Sequence, residues 1–153
     1  MIIKRTVHSS SETEALGAEV ARELEERGVT RAFIALFGEM GVGKTAFSRG
    51  FGSHFGVFNM KSPTYTVCNR HKGRAIIHHF DFYRIKDGDD LYSIGYDDIV
   101  ESEGYCLGEW SENIVDFLPE TTIRVRISRV SSSDPELESV REIEIDCTEL
   151  LGE

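Results

Sequence analysis

Hydrophobic and polar positions along the chain alternate first with helical, then with strand, then again with helical spacing. ALGAEVARELEERG places Leu16, Val20 and Leu24 on one helix face, with Ser11 and Glu14 as a capping-box pattern before it and Gly28 as its end. RAFIALF is an apolar run bounded by polar residues, the pattern of a buried strand. KTAFSRGFGSHFG returns to helical spacing through Phe47, Phe51 and Phe55. TYTVCNR, HKGR and AIIHHFDF read as strand, short turn and strand. From Lys86 to Ser102 the chain is polar and acidic, with Leu91, Ile94, Ile99 and Val100 as anchors for short helices. YCLGEW is a further buried strand, and TIRVRISRV and SVREIEID alternate with period two around the loop SSSDPELE. Their apolar faces are Ile123, Val125 and Ile127 against Ile143 and Ile145. Arg124 and Arg126 then face Glu142 and Glu144 across an antiparallel pair, worth a few tenths of a kcal/mol up to roughly 1 per pair.

Between the first buried strand and the phenylalanine helix stands GEMGVGKT, the Gly-x-x-x-x-Gly-Lys-Thr pattern of a P-loop. Gly38, Gly41 and Gly43 allow backbone angles that a Cβ forbids, so the loop can turn its N–H groups inward around an anion. The expected cradle is Gly38, Glu39, Met40, Gly41, Val42, Gly43, Lys44, Thr45 and Ala46. Lys44 would reach the outer phosphates, and the Thr45 hydroxyl would hold Mg²⁺. The helix after the loop aims its partly positive N-terminus at the same place. Strand, loop and helix together predict an α/β, P-loop NTPase-like three-layer fold with a mixed central β-sheet and a C-terminal antiparallel hairpin. No Asn-Lys-x-Asp motif for guanine occurs, which disfavours a GTPase.

A P-loop needs a further acidic group near Mg²⁺, usually at the end of a buried strand. Asp81 ends AIIHHFD and Glu109 ends YCLGE, and both strands are expected to flank the P-loop strand. One carboxylate could hold the metal, directly or through water, and the other could orient the attacking water. Either could also be a strand-end acid that caps a loop. Trp110 is as compatible with a core as with a site. His78 and His79 are neighbours in a strand, face opposite ways, and read as structural. KSPTYTV, residues 61–67, holds the position of a switch segment, with Ser62 and Thr64 as its polar residues, or is an ordinary loop fixed by Pro63.

Composition narrows the partners. The 153 residues carry a formal net charge of −10, which gains nothing from a nucleic-acid backbone. One domain over residues 1–153 is the expectation for this length. Cys68, Cys106 and Cys147 are odd in number and scattered, which excludes a disulfide framework and a Cys-x-x-Cys metal site and points to a reducing compartment. No apolar run approaches a membrane span and MIIKRTVHSS is no secretory signal, so a cytoplasmic protein with no membrane contact is expected.

GEMGVGKTAFSRGF, KSPTYTV, HFDFYR and EW, in that order and spacing, resemble the TsaE (YjeE) family of bacterial P-loop ATPases, from about Glu12 to Ile127. The P-loop alone is common to many families; the combination is specific. The resemblance implies a mixed α/β fold and a slow Mg²⁺-dependent ATPase. It also implies an accessory role in tRNA threonylcarbamoyladenosine synthesis, through the TsaB–TsaD pair, with tRNA met only through that complex. It makes Lys44, Asp81 and Glu109 the catalytic set, Thr45 and Glu109 the metal ligands, and Ser62 and Thr64 part of a switch-like loop. The family usually has Asp where Glu39 stands, commonly Ala at Val42, and commonly Glu-Tyr at Arg70 and His71. The first two changes spare the cradle; the third alters a local surface. A small P-loop kinase and a nucleotide-gated scaffold with negligible hydrolysis are the rival readings.

Overall fold

In RAFIALF every side chain after Arg31 is apolar, so neither face of that strand tolerates water. The computed structural model, which describes residues 1–58, 60–61, 67–130 and 133–152, buries Ala32 to Phe37 on both faces. This strand, β2 (Arg31–Phe37), lies inside a sheet with β1 (Ile2–Val7), β3 (Cys68–Lys72), β4 (Ile76–Asp81), β5 (Gly104–Glu109), β6 (Thr122–Arg129) and β7 (Arg141–Asp146). The seven strands run in the order β1-β7-β6-β2-β5-β4-β3. β2 is parallel to β5 and β6, and β5 to β4, while β1–β7, β6–β7 and β3–β4 are antiparallel. The sheet is therefore mixed, and β6–β7 is the expected C-terminal hairpin.

Helices cover both faces. α1 (Ser10–Glu26) and α2 (Lys44–His54) bury Leu16, Ala21, Leu24, Phe47 and Phe51 against Ile34, Leu36, Ile77, Leu107 and Val125. α3 (Gly88–Ser93), α4 (Tyr96–Glu101) and a 3-10 segment (Ser111–Phe117) cover the other face, where Leu91, Tyr96 and Ile114 meet Phe33, Phe37, Phe80 and Phe82. α1 and α2 touch almost backbone to backbone. A Cβ on Gly50 would lie 1.8 Å from the Glu14 carbonyl oxygen, and one on Gly17 would lie 2.2 Å from that of Phe47.

The first cap differs from expectation. Ser9, extended at φ −157°, caps α1: its Oγ accepts from the Glu12 N–H at 3.2 Å, and the Glu12 carboxylate accepts from the His8 N–H at 2.8 Å. The box is thus Ser9 and Glu12, not Ser11 and Glu14; Glu14 pairs instead with Arg49 at 2.7 Å, tying α1 to α2. β1 has no counterpart among the expected strands. It is a sheet edge with only Val7 buried, so its sequence lacks a clear alternation. β3 continues to Lys72, which moves the β3–β4 turn from HKGR to residues 73–75. Register also re-pairs the hairpin charges: Arg126 faces Glu144 as expected, but Arg124 faces Asp146 and Glu142 faces Ser128.

Candidate functional site

The chain leaves β2 at Phe37 and re-enters regular structure at Lys44, so residues 38–43 form the loop above the sheet. Gly38, Gly41 and Gly43 take φ of 148°, 73° and 128°. At Gly38 the requirement is also spatial, since a Cβ would meet the Ile127 carbonyl oxygen at 2.5 Å. Val42 and Ala46 are buried, whereas Met40 is 68 % exposed. The loop is held from outside. Glu112 accepts from the Gly38 N–H at 2.8 Å, Arg141 donates to the Val42 carbonyl at 3.1 Å, and Arg129 reaches the Gly41 carbonyl at 3.4 Å and the Glu39 carboxylate at 3.5 Å. The C-terminal hairpin, which carries no motif, thus anchors the P-loop.

Lys44 is buried at 4 % exposure. Its ammonium donates to the Gly38 carbonyl at 2.5 Å and lies 3.7 Å from the centre of the Trp110 ring. Burial pulls its pKa down, and the carboxylates of Glu112, Glu109 and Asp81 oppose that shift. Among the described residues Trp110 is the one non-glycine with positive φ, at 61°. A bulky residue in that region is a local strain of the kind that clusters at functional sites. Here it follows β5 directly and lays the indole under Lys44.

Asp81 and Glu109 are register partners at the ends of β4 and β5. The expectation that both strands flank β2 is corrected by the strand order: β5 does, and β4 lies one strand further out. Glu109 accordingly is the closer acid. Its Oε1 accepts from the Thr45 hydroxyl at 2.9 Å, and its Oε2 sits 2.5 Å from Nε2 of His79. Asp81 accepts from the Tyr83 N–H at 3.0 Å. Burial raises the Asp81 pKa first of all. The Tyr83 N–H opposes this, the Glu109 charge adds to it, and Lys44 acts against it.

Gly41, Lys44, Thr45, Asp81, Glu109 and Trp110 line one cavity of about 390 Å³. The donor set fits Mg²⁺. One hydroxyl and one carboxylate are hard oxygens, and Mg²⁺ is commonly held by one or two protein ligands with phosphate oxygens and water. Among the described residues no three His, Cys, Asp or Glu side chains converge as a metal cage. The glycine conformations fit a phosphate, because close backbone approach is what a Cβ would block. Ser62 and Thr64, the expected switch-like residues, lie outside the described residues.

The sequence reads His79 as structural and gives no role to Glu112, Arg129 or Arg141, yet His79 bonds Glu109 and the other three hold the loop. His79 was findable: residues 77, 79 and 81 share a face of β4, so the histidine two before Asp81 had to face the site. Glu112, Arg129 and Arg141 reach the loop by tertiary proximity and have no local signal.

A parallel strand that ends in a glycine loop, a helix that begins at the loop lysine, and a threonine bonded to the acid of the neighbouring strand define a P-loop protein. The family model described as "Threonylcarbamoyl adenosine biosynthesis protein TsaE" matches residues 7–138. The chain belongs to the TsaE family. It is 32 % identical over 130 residues to the tRNA threonylcarbamoyladenosine biosynthesis protein TsaE of Treponema pallidum, covering 84 % of this chain and 93 % of that protein. The TsaE of Haemophilus influenzae is 40 % identical over 96 residues, 61 % of each chain. The crystal structure of YdiB from Bacillus subtilis superposes with a TM-score of 0.71 at 25 % identity, covering 95 % of this chain and 84 % of that one.

Proposed function

We propose that this protein binds and slowly hydrolyses ATP with Mg²⁺, as an accessory to tRNA N6-threonylcarbamoyladenosine synthesis that acts through a TsaB–TsaD complex. The observation that carries the reading is the Thr45–Glu109 hydrogen bond of 2.9 Å beside the buried Lys44, at the mouth of a glycine cradle. The names of the relatives supply the pathway. Glycines 38, 41 and 43 let the backbone approach the phosphates, and the Lys44 ammonium would exchange its Gly38 carbonyl for phosphate oxygens. Thr45 and Glu109 would hold Mg²⁺, which when bound neutralises charge on the phosphate oxygens. Asp81, whose carboxylate burial makes more basic, would orient the attacking water and take up its proton. Ser62 and Thr64 would respond to the γ-phosphate as switch segments do.

The net charge of −10 supports contact with tRNA through protein partners rather than directly. The same reading is of one P-loop domain working in the cytoplasm. Among the described residues no helix is long and apolar enough to cross a membrane.

The test measures affinity for a TsaB–TsaD complex with ADP and with a non-hydrolysable ATP analogue, alongside phosphate release with and without that complex. A difference on the order of 5- to 150-fold between nucleotides, with phosphate released to water, is expected. Phosphate recovered on an acceptor would replace the reading with a kinase, and binding without turnover would replace it with a scaffold.

A further inference from the structure

A buried residue bonded to the Glu109 carboxylate, and unused by that reading, is His79. β4 and β5 are parallel neighbours, with His79 opposite Leu107 and Asp81 opposite Glu109. The imidazole lies below the Glu109 carboxylate, fully buried at 0 % exposure, and is no part of the cavity wall. It reaches neither the cavity nor bulk solvent, and its hydrogen bond to Glu109 links it to the site.

Its tautomer follows from its surroundings. Nδ1 is buried and has no hydrogen-bond partner among the described residues. A buried N–H without an acceptor loses a full hydrogen bond, so the proton belongs on the other nitrogen. Nε2–H then donates to Glu109 Oε2 at 2.5 Å, while Oε1 accepts from Thr45 at 2.9 Å. The two oxygens are thus given different partners. The imidazole sets the torsion of the carboxylate and turns Oε1 toward Thr45 and the cavity.

We infer that His79 is a positioning residue, which fixes Glu109 so that Oε1 and the Thr45 hydroxyl together present one cation site. The inference rests on the proposed Mg²⁺–ATP binding. Groups that hold a metal-binding carboxylate from behind commonly change metal affinity or activity about 10- to 100-fold when removed.

The experiment uses the full chain and three variants. His79→Phe keeps the volume and loses the donor; His79→Gln keeps an N–H at the reach of Nε2; His79→Asn has an amide too short to reach Glu109. Mg²⁺ is titrated calorimetrically into each protein with a non-hydrolysable ATP analogue, and metal-free analogue binding and thermal melting are recorded in parallel. In His79→Phe and His79→Asn the Mg²⁺ affinity should fall about 10- to 100-fold, with metal-free binding within about twofold of wild type. His79→Gln should recover most of the loss. Wild-type Mg²⁺ affinity in both donor-less variants, or equal losses in Gln and Asn, overturns the inference. If His79→Phe does not fold, the Gln–Asn comparison decides alone. A wild-type protein that binds no Mg²⁺–nucleotide overturns the functional reading and this inference with it, whereas normal wild-type binding with insensitive variants overturns only the inference.

Discussion

Asp81 and Lys44 are each held in the form that burial disfavours. For Asp81 the native state favours the proton, so its ionisation lowers stability as pH rises from the usual aspartate value of 3.8 through its raised native value. Asp81→Asn removes that penalty and can still accept the Tyr83 N–H. It should melt higher than wild type at neutral pH, and the gain should vanish below the ordinary aspartate range, while hydrolysis falls at least about tenfold, roughly 1.4 kcal/mol of barrier. Scanning calorimetry across pH and phosphate-release assays read both effects; a lower melting point at neutral pH would contradict the electrostatic account. For Lys44 the reporter is Trp110, the one tryptophan in the chain, whose ring lies 3.7 Å from the ammonium. A nucleotide that draws Lys44 onto its phosphates should change Trp110 emission. In Lys44→Ala the apo emission should already differ from wild type, with little further change on ATP addition and much weaker ATP binding. An unaltered apo spectrum would mean that the contact is not populated.

Between elements, the tightest requirement is the α1–α2 crossing. Gly50 meets the Glu14 backbone and Gly17 meets that of Phe47, so neither position has room for a methyl group. Helix propensity alone favours Gly50→Ala by about 1 kcal/mol. The clash with backbone outweighs it, and overpacking of this kind costs about 1–3 kcal/mol. Gly50→Ala should therefore lower denaturant stability, and because α2 begins at Lys44 it should also weaken ATP binding. Chemical denaturation and nucleotide titration check this; a stabilised Gly50→Ala would show that the helices can move apart freely. The same element scale explains the anchoring of the loop, since Arg129 and Arg141 reach it only because β6 pairs with β2.

Across the whole molecule the charge is lopsided. Eleven acidic residues and no lysine or arginine lie between Asp87 and Glu120, so the rest of a chain of net charge −10 is near neutral. That stretch forms α3, α4, β5 and the 3-10 segment, and it leaves Tyr92 84 % exposed. A field of this sign repels phosphodiester backbones. The isolated protein should retain no tRNA in a filter-binding assay at about 0.15 M salt, where screening is moderate. Retention would place a basic tRNA-binding surface on this chain and remove the need for a protein intermediary.

The sequence by itself determined the elements whose signal is local. The buried β2 is legible because every residue after Arg31 is apolar, the helix α2 because Phe47, Phe51 and Phe55 recur at helical spacing, and the glycine cradle because positive φ is written as glycine. It also identified Asp81 and Glu109 as acids at strand ends. Tertiary structure decided what depends on neighbours in space. Strand order put β5 and not β4 beside β2, which brought Glu109 to Thr45. Sheet register put His79 beneath that carboxylate, and the hairpin brought Arg141 to the P-loop. Periodicity reports which face a residue occupies, whereas the partner on that face is set by pairing between segments far apart in the chain, and no local pattern encodes that choice.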